Sequence, residues 1–247
     1  MEFTVNLAGI NVAVKSIFDE VYDFCHDYLT DKPADITVTV TPEDILYEKR
    51  VNAREAQIEG IPVVNYPDSY LETLAVYRKI ATKLLDFDTF LMHGAVVAVG
   101  DKAWLFTAPS GTGKTTHINL WLKNIPGSYV VNGDKPLIHI GDDCTVYGTP
   151  WAGKERMNRN TGVKLCGIVF LNRGKDNHIE QVKMSQVLPV LIQQSYRPGD
   201  RSGLEKTLAL LSRLGRKIPM YQLYCNMDSE AAFVAYNVLN GAEHERE

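Results

Sequence analysis

The sequence predicts an α/β protein that begins with a small β-rich section, and three observations lead to this prediction. Apolar and polar residues alternate near the N-terminus, which is typical of half-buried strands. Farther along, short apolar runs of strand length occur together with stretches of helical periodicity. A strand also runs directly into a glycine-rich loop and a helix at residues 103–124. With 45% hydrophobic and 23% charged residues over 247 positions, the composition excludes disorder, collagen and coiled coil for the chain as a whole.

The first section, residues 1–65, is predicted to be rich in strands. Its strands follow from apolar side chains at every second position, and its helix from apolar side chains three or four positions apart. The predicted elements are, in order, two strands within residues 3–14 that turn at Ala8-Gly9, a helix over 17–29, a strand at 36–40 and a strand at 44–51. The turn-forming sequence NYPDS at 65–69 ends this section.

The second section, residues 66–240, is predicted to be a P-loop kinase-like catalytic core that forms one compact unit with the first section, and residues 241–247 a charged tail. Its predicted strands lie at 93–99, 103–107, 129–132, 136–140, 144–147, 163–171, 178–182 and 219–225. Its predicted helices lie at 71–85, 114–124, 184–194, 203–215 and 228–240. The section therefore combines strands and helices, with five successive strands between residues 129 and 182.

The strongest functional motif is APSGTGKTT at residues 108–116. It fits the phosphate-loop pattern G-x-x-x-x-G-K-[ST], with Ala108 in place of the first glycine. The loop leads into a helix, so backbone N–H groups at the helix N-terminus can bind phosphate oxygens. The pattern assigns Lys114 to the β- and γ-phosphates and Thr115 to Mg²⁺. The residues expected to contact ATP are Ser110, Gly111, Thr112, Gly113, Lys114, Thr115 and Thr116. A chance glycine-rich turn before a helix is the alternative.

Nucleotide chemistry also requires an acid that holds Mg²⁺ or acts on the acceptor hydroxyl, and two segments offer one. NGDKP at 132–136 places Asp134 just after a short apolar strand, where a carboxylate can face the loop. GDDC at 141–144 offers Asp142 and Asp143, but a hairpin turn explains these residues without a function. We therefore predict that Asp134 is a catalytic carboxylate, which orients or deprotonates the acceptor hydroxyl, and a metal ligand. A role in the turn alone is the alternative.

Residues 148–162 combine glycine and proline with cations and predict a mobile loop that closes over phosphates. Lys154 is the cation expected to act on the transferring phosphoryl group. Arg156 and Arg159 are weaker candidates for the same role, and Glu155 is a candidate second acid. A solvated surface loop is the alternative interpretation.

Motifs of several well-known enzyme classes are absent from the sequence. It contains no H-E-x-x-H, no G-x-S-x-G and no paired Cys/His ligand spacing, which argues against a metalloprotease, an α/β-hydrolase and a zinc protein. His93 is interpreted as a packed or hydrogen-bonded residue, and His117 as a surface residue of the helix that follows the loop.

Several of these motifs together resemble the HPr serine kinase/phosphorylase family, which is related to phosphoenolpyruvate carboxykinase. The motifs are HG at 93–94, SGTGKTT at 110–116, NGDKP at 132–136 and YGTPWAGK at 147–154. The resemblance covers about residues 90–172 and implies a carboxykinase-like P-loop fold with a mixed sheet. It also implies ATP and Mg²⁺ as cofactors, with Lys114, Thr115 and Asp134 serving the phosphates, the metal and the acceptor. HPr kinases carry an Asp-Asp pair where this chain has Asp134-Lys135.

These observations predict a kinase that transfers the γ-phosphoryl group of Mg·ATP to a hydroxyl. The resemblance implies that the acceptor is a serine of a peptide or protein. One alternative is a nucleotide-binding regulatory or scaffold protein without turnover, which Lys135 beside Asp134 favours. Two enzyme classes also fit the same motifs: a carboxykinase-like enzyme that acts on a small carboxylate, and a kinase of small-molecule alcohols.

Charge and hydropathy restrict the partners and the location that we expect. The formal net charge of −4 argues against a general binder of nucleic acids or anionic membranes, because both require a basic surface. The longest apolar runs have the length of strands, and the N-terminus lacks the pattern of a signal peptide. The four cysteines are far apart and are expected to be buried thiols. A cytoplasmic protein is therefore predicted, with its oligomeric state left open.

Overall fold

The computed structural model describes residues 1–241, so the predicted tail at 241–247 lies outside the described residues except for Gly241. The chain divides into two compact units, and the second unit begins at Leu85. The sequence places a division near residue 65 instead. The structure keeps the helix that follows residue 65 in the first unit because it packs against that unit's other helices.

The first unit, Met1–Leu84, is a three-stranded sheet with three helices. Its elements are β1 (Glu2–Leu7), β2 (Ile10–Lys15), α1 (Glu20–Phe24), β3 (Ile36–Thr39), α2 (Pro42–Glu59) and α3 (Asp68–Leu84). Strands β1 and β2 are antiparallel and turn at Ala8-Gly9, whereas β2 and β3 are parallel. The small N-terminal sheet is confirmed, and the helix expected over 17–29 is limited to α1 and a 3-10 turn at His26–Tyr28.

The strand expected at residues 44–51 is wrong, because this segment belongs to helix α2. A helix-start signal precedes it: the Asp44 carboxylate accepts a hydrogen bond from the Thr41 backbone N–H at 3.0 Å, and Pro42 occupies the first turn. Ion pairs from Arg78 of α3 to Glu48 and Asp44, at 2.6 and 3.1 Å, then join the two helices. Local capping and long-range pairing thus outweigh the strand-like apolar spacing.

The second unit is a mixed sheet covered by helices. Its strands are β4 (Thr89–Leu91), β5 (Ala95–Val99), β6 (Lys102–Thr107), β7 (Ser128–Asn132), β8 (Leu137–Ile140), β9 (Cys144–Tyr147), β10 (Gly162–Arg173), β11 (His178–Val182) and β12 (Met220–Cys225). Its helices are α4 (Lys114–Asn124), α5 (Met184–Gln194), α6 (Arg201–Lys217) and α7 (Glu230–Gly241). Only the short strand β4 was not expected from the sequence, and the α/β class with a mixed sheet is confirmed.

The strand order brings several carboxyl ends to one edge of this sheet. Strand β10 is parallel to β6 on one side and to β12 on the other. Strand β5 lies antiparallel between β6 and β7, so β7 runs in the same direction as β6. The ends of β6, β7, β10 and β12 therefore lie along one edge, which we call the carboxyl edge. Ligands of open α/β sheets commonly bind outside such an edge.

Helices cover both faces of the sheet, which explains the continuous apolar runs of its central strands. On one face, Ala103 and Leu105 of β6 belong to a buried cluster that includes residues of α5 and α6. On the other face, Trp104 and Phe106 belong to a cluster that includes residues of α4 and α7. In the part of the chain that the structure describes, no helix has both the length and the apolar character needed to cross a membrane.

Candidate functional site

The expected functional segments meet at the carboxyl edge. The glycine-rich loop follows β6, residues 133–135 follow β7, and His93 lies just before β5. The Gly94 backbone N–H donates a hydrogen bond to the Asp134 carbonyl at 2.9 Å. The Thr107 hydroxyl donates to the His93 carbonyl at 2.8 Å. These bonds hold the end of β6, the start of β5 and the acidic turn after β7 together.

The loop between β6 and α4 has a backbone that only its glycines adopt easily. Gly111 has a φ of 74° and Gly113 a φ of 122°, and an added Cβ at Gly113 would meet no atom closer than 4.0 Å. The backbone angles therefore require glycine, and the available space does not. The Thr112 hydroxyl donates to the Pro109 carbonyl at 2.9 Å and closes the turn.

The first backbone N–H groups of helix α4 have no partner within the helix. Its first intrahelical bond runs from the His117 N–H to the Gly113 carbonyl at 3.0 Å. The amides of Lys114, Thr115 and Thr116 precede that bond and have no partner four residues earlier within the helix. The side chains of Thr115 and Thr116 are exposed, as is that of Ser110. An anion at this helix N-terminus would meet both N–H groups and the positive end of the helix dipole.

Lys114 lies inside the loop, with its ammonium group on the loop's own carbonyls. Its Nζ donates to the Ala108 carbonyl at 2.8 Å and to the Pro109 carbonyl at 3.4 Å. Burial lowers the pKa of Lys114, and the charge of Asp134 opposes that effect. Ala108 is buried, and it contacts Lys114 through its backbone carbonyl. This contact does not depend on the side chain, so alanine can make it in place of the first glycine of the usual pattern.

Asp134 is held by a histidine, a lysine and its own turn. His93 Nε2 lies 3.1 Å from Oδ1, and the Lys135 ammonium pairs with Oδ2. Burial alone would raise the pKa of Asp134, but the hydrogen bond from His93 and the charge of Lys135 lower that pKa to about 2. The Asn132 side-chain oxygen accepts the N–H groups of Asp134 and Lys135 at 2.9 and 2.8 Å. The carboxylate is therefore ionised and fixed at the carboxyl edge.

His93 connects this carboxylate to a residue that the sequence analysis missed. His93 Nδ1 lies 2.7 Å from Oε1 of Gln194, and the His93 N–H donates to the Gln194 carbonyl at 2.7 Å. Since a carboxylate only accepts hydrogen bonds, Nε2 must carry a proton to bond Asp134. His93 is hydrogen-bonded, as expected, but it bonds the acid that we placed in the site.

The loop after β9 is pinned at its base and exposed at its tip. The Arg159 N–H donates to the Val131 carbonyl at 3.0 Å, and the Gly148 N–H donates to the Thr161 carbonyl at 3.1 Å. At the tip, a Cβ added to Gly153 would lie 3.2 Å from the Cβ of Asp134. The loop therefore passes beside the acid.

The cations of this loop differ in their surroundings. Lys154, which follows Gly153 directly, is exposed at the tip, and so are Glu155 and Arg156. The Arg159 guanidinium instead lies 4.5 Å from the centre of the Tyr129 ring. Lys154 is therefore the exposed cation that directly follows Gly153, and Gly153 lies against Asp134.

Two further expectations are tested by the geometry. Asp142 and Asp143 lie exposed in the hairpin turn between β8 and β9, where the Gly141 N–H donates to the Asp143 carbonyl, which confirms the turn interpretation. The surface position expected for His117 is wrong. His117 is buried, accepts a hydrogen bond from Trp121 Nε1 at 3.0 Å, and burial lowers its pKa to about 4.

Arg173 is a second residue that the sequence analysis missed. It ends β10, and its guanidinium donates to the carbonyls of Gly111 and Thr112 at 2.7 and 3.3 Å. Thr149 was also missed, although it anchors the buried Asn132 through a bond of 3.0 Å from Nδ2 to its carbonyl. The available signal was positional, since Arg173 is the last residue of a mostly buried apolar strand.

Within residues 1–241, no cluster of three or more His, Cys, Asp or Glu side chains could hold a metal ion.

No family model matches the chain, and no curated protein matches it either. Among solved structures, it is similar to the HPr(Ser) kinase/phosphatase from Coxiella burnetii, with a TM-score of 0.39 and 9% sequence identity. The similarity covers 63% of this chain and 92% of that chain.

Proposed function

We propose that the protein is a Mg·ATP-dependent phosphotransferase with a P-loop, HPr-kinase-like fold, and that it transfers the γ-phosphoryl group to a hydroxyl of a peptide or protein serine. One observation carries the proposal. Lys114 and Asp134 come from different segments, yet the bonds of Thr107 to His93 and of Gly94 to Asp134 bring these segments together at the carboxyl edge, where the carboxylate charge opposes the lowering of the Lys114 pKa by burial. Phosphoryl transfer needs this combination of a phosphate-binding cation and an acid near the metal and acceptor.

The loop offers the other groups that bind a triphosphate. The free amides at the start of α4 would donate to phosphate oxygens, and Lys114 would exchange the carbonyls of Ala108 and Pro109 for the β- and γ-phosphates. That exchange replaces neutral acceptors by charged ones, which strengthens the hydrogen bonds of the ammonium group.

The residues also fit Mg²⁺ in the manner usual for kinases. Mg²⁺ is commonly held by one or two carboxylates, waters and substrate phosphates, so a cage made only of protein ligands is not required. The exposed hydroxyl of Thr115 and the ionised carboxylate of Asp134 are the groups that would hold it. When bound, Mg²⁺ would neutralise charge that develops on the phosphates.

Asp134 would act mainly through its charge. A carboxylate with a pKa of about 2 binds protons weakly, so Asp134 is better suited to hold the metal or to orient the acceptor hydroxyl than to keep its proton. Lys154 would add positive charge from the tip of the neighbouring loop as the phosphoryl group moves.

A nucleotide-binding protein without turnover is the second candidate, and one observation favours it. Both carboxylate oxygens of Asp134 already have cationic or N–H partners, His93 on Oδ1 and Lys135 on Oδ2. If Lys135 keeps this position when ATP binds, Asp134 has no free oxygen for the metal or the acceptor.

Incubation with γ-labelled ATP, Mg²⁺ and serine-containing peptides separates these candidates. The proposed kinase moves the label to a peptide, whereas the second candidate only retains labelled ATP. Transfer to a small-molecule alcohol, or transfer that depends on a small carboxylate, would identify a different class of acceptor.

The matched variants are Lys114→Ala and Lys123→Ala, which change two lysines of the same helix. Lys114→Ala should lower turnover at least ~10²-fold, by analogy with the loss of one preorganised transition-state donor. Lys123 is exposed in the last turn of α4, and its replacement should have no effect. Unchanged ATP affinity and unchanged turnover in Lys114→Ala would overturn the proposed function.

A further inference from the structure

The Arg173 guanidinium binds backbone carbonyls of the glycine-rich loop. Its Nη2 donates to the Gly111 carbonyl at 2.7 Å and its Nε to the Thr112 carbonyl at 3.3 Å. One planar guanidinium thus contacts two successive carbonyls, which fixes their directions relative to each other. Arg173 reaches the loop because β10 is parallel to β6 and both strands end at the carboxyl edge.

The orientation of these carbonyls determines where the neighbouring N–H groups point. In a trans peptide, the carbonyl of one residue and the N–H of the next point in opposite directions. Because the Gly111 and Thr112 carbonyls face Arg173, the N–H groups of Thr112 and Gly113 face away from it. The Thr112 N–H donates to the Pro109 carbonyl at 3.4 Å within the loop. The Gly113 N–H directly precedes the amides at the start of α4, to which the proposed function assigns phosphate binding.

The loop needs such an external contact because its own backbone is permissive. Gly111 and Gly113 flank the two peptide groups, and glycine adopts positive and negative φ with similar ease. The bond from the Thr112 N–H to Pro109 helps to hold the first of these peptide groups. Without a partner for the Thr112 carbonyl, the peptide group between Thr112 and Gly113 can rotate, and an anion must then order it when it binds. A guanidinium that holds this carbonyl beforehand removes that cost from binding.

We propose that Arg173 is a positioning residue that preorganises the loop's N–H groups for a polyphosphate. This inference rests on the proposed function and adds to it a residue outside the phosphate-loop motif. Arg173 acts through the loop backbone, so it affects the polyphosphate part of a nucleotide and not its base or sugar.

The test compares the binding of Mg·tripolyphosphate and of a non-hydrolysable Mg·ATP analogue by calorimetry. Arg173→Ala should weaken both ligands by at least about 10-fold, as expected for the loss of charge-assisted hydrogen bonds. Arg173→Lys should recover only part of the affinity, because an ammonium lacks the planar fork. Lys175→Ala is the matched control, since Lys175 is an exposed cation two residues farther along the same turn.

A second measurement separates preorganisation from a loss of stability. Arg173 is exposed, so the melting temperature of Arg173→Ala should equal that of the wild type. Without nucleotide, the amides of Thr112 and Gly113 should exchange hydrogen faster in Arg173→Ala than in the wild type, whereas those in the core of β6 should not.

The outcomes distinguish this inference from the proposed function. Wild-type protein that binds neither ligand would overturn both. Wild-type binding that Arg173→Ala leaves unchanged would overturn the role of Arg173 alone. An affinity loss confined to the ATP analogue, or full recovery by Arg173→Lys, would also overturn it, because the guanidinium would then act on the nucleoside or as a simple charge.

Discussion

Replacing Asp134 by asparagine should destabilise the second unit in a way that depends on pH. The substitution keeps the shape of the side chain and removes the negative charge that pairs with His93 and Lys135. The main-chain bonds of residues 134 and 135 to Asn132 do not involve the carboxylate. The turn itself should therefore remain, and the lost electrostatic interactions should account for the change in the free energy of unfolding.

The pKa of Asp134 gives the expected magnitude. Its partners lower that pKa from an ordinary value of 3.8 to about 2, and the side chain is only 21% exposed. At about 1.4 kcal/mol for each pKa unit, the ionised carboxylate stabilises the folded state by about 2 kcal/mol at neutral pH. For a domain of this size, that corresponds to a fall in melting temperature of about 4–8 °C in Asp134→Asn.

The direction of the pH dependence follows from the lowered pKa. A group whose pKa is lower in the folded state stabilises the protein above its ordinary pKa, and this contribution is lost as the pH falls through the folded value. The difference between wild type and Asp134→Asn should therefore be full at neutral pH and should shrink between about pH 4 and pH 2.

Urea unfolding followed by tryptophan fluorescence measures this difference in the correct unit, because all three tryptophans, Trp104, Trp121 and Trp151, lie in the second unit. Asp142→Asn is the matched control, since Asp142 is an exposed turn residue and a turn tolerates asparagine. Equal stability of wild type and Asp134→Asn at neutral pH would contradict this prediction, as would a difference that stays constant down to about pH 2.

The remaining predictions concern the loop at residues 148–162. Gly148→Ala should destabilise the second unit by about 3 kcal/mol or more, because its Cβ would lie 1.9 Å from the Arg159 carbonyl oxygen. Gly199→Ala, whose Cβ would meet no atom within 4 Å, is the control, and equal urea midpoints would contradict this prediction. Lys154→Ala should lower kcat by more than it raises the Kd for ATP, because its contact would form mainly in the transition state. Hydrogen exchange over 148–162 should slow when a non-hydrolysable ATP analogue binds. Unchanged exchange, together with wild-type turnover in Lys154→Ala, would show that this loop is a solvated surface loop without a role in the reaction.

Local sequence signals predict those parts of the fold that depend on neighbouring residues. Helix α4 is observed at the predicted residues 114–124, because a glycine loop precedes it and its apolar stripe is regular. The same kind of signal failed for α2, where apolar spacing at 44–51 resembled a strand and the Thr41–Asp44 capping box was overlooked. The short strand β4 has only three residues, which are too few to show a periodic pattern in the sequence.

The candidate site could be predicted only in part, because its contacts join distant positions. The motif residues Lys114 and Asp134 follow strands, so their placement near a sheet edge was accessible from the sequence. The contact of His93 with Gln194 spans 101 positions, and that of Arg173 with Gly111 spans 62. These contacts depend on the order and direction of the strands, and no local pattern encodes that order.

A crystal structure with Mg²⁺ and a non-hydrolysable ATP analogue tests the central proposal most directly. We expect that the phosphates accept hydrogen bonds from the amides at the start of α4, and that Lys114 leaves the Ala108 carbonyl for the β- and γ-phosphates. We also expect that the metal contacts Thr115 and Asp134, with Lys135 displaced from the carboxylate. A nucleotide bound elsewhere, or a triphosphate that leaves Lys114 on its carbonyls, would contradict it.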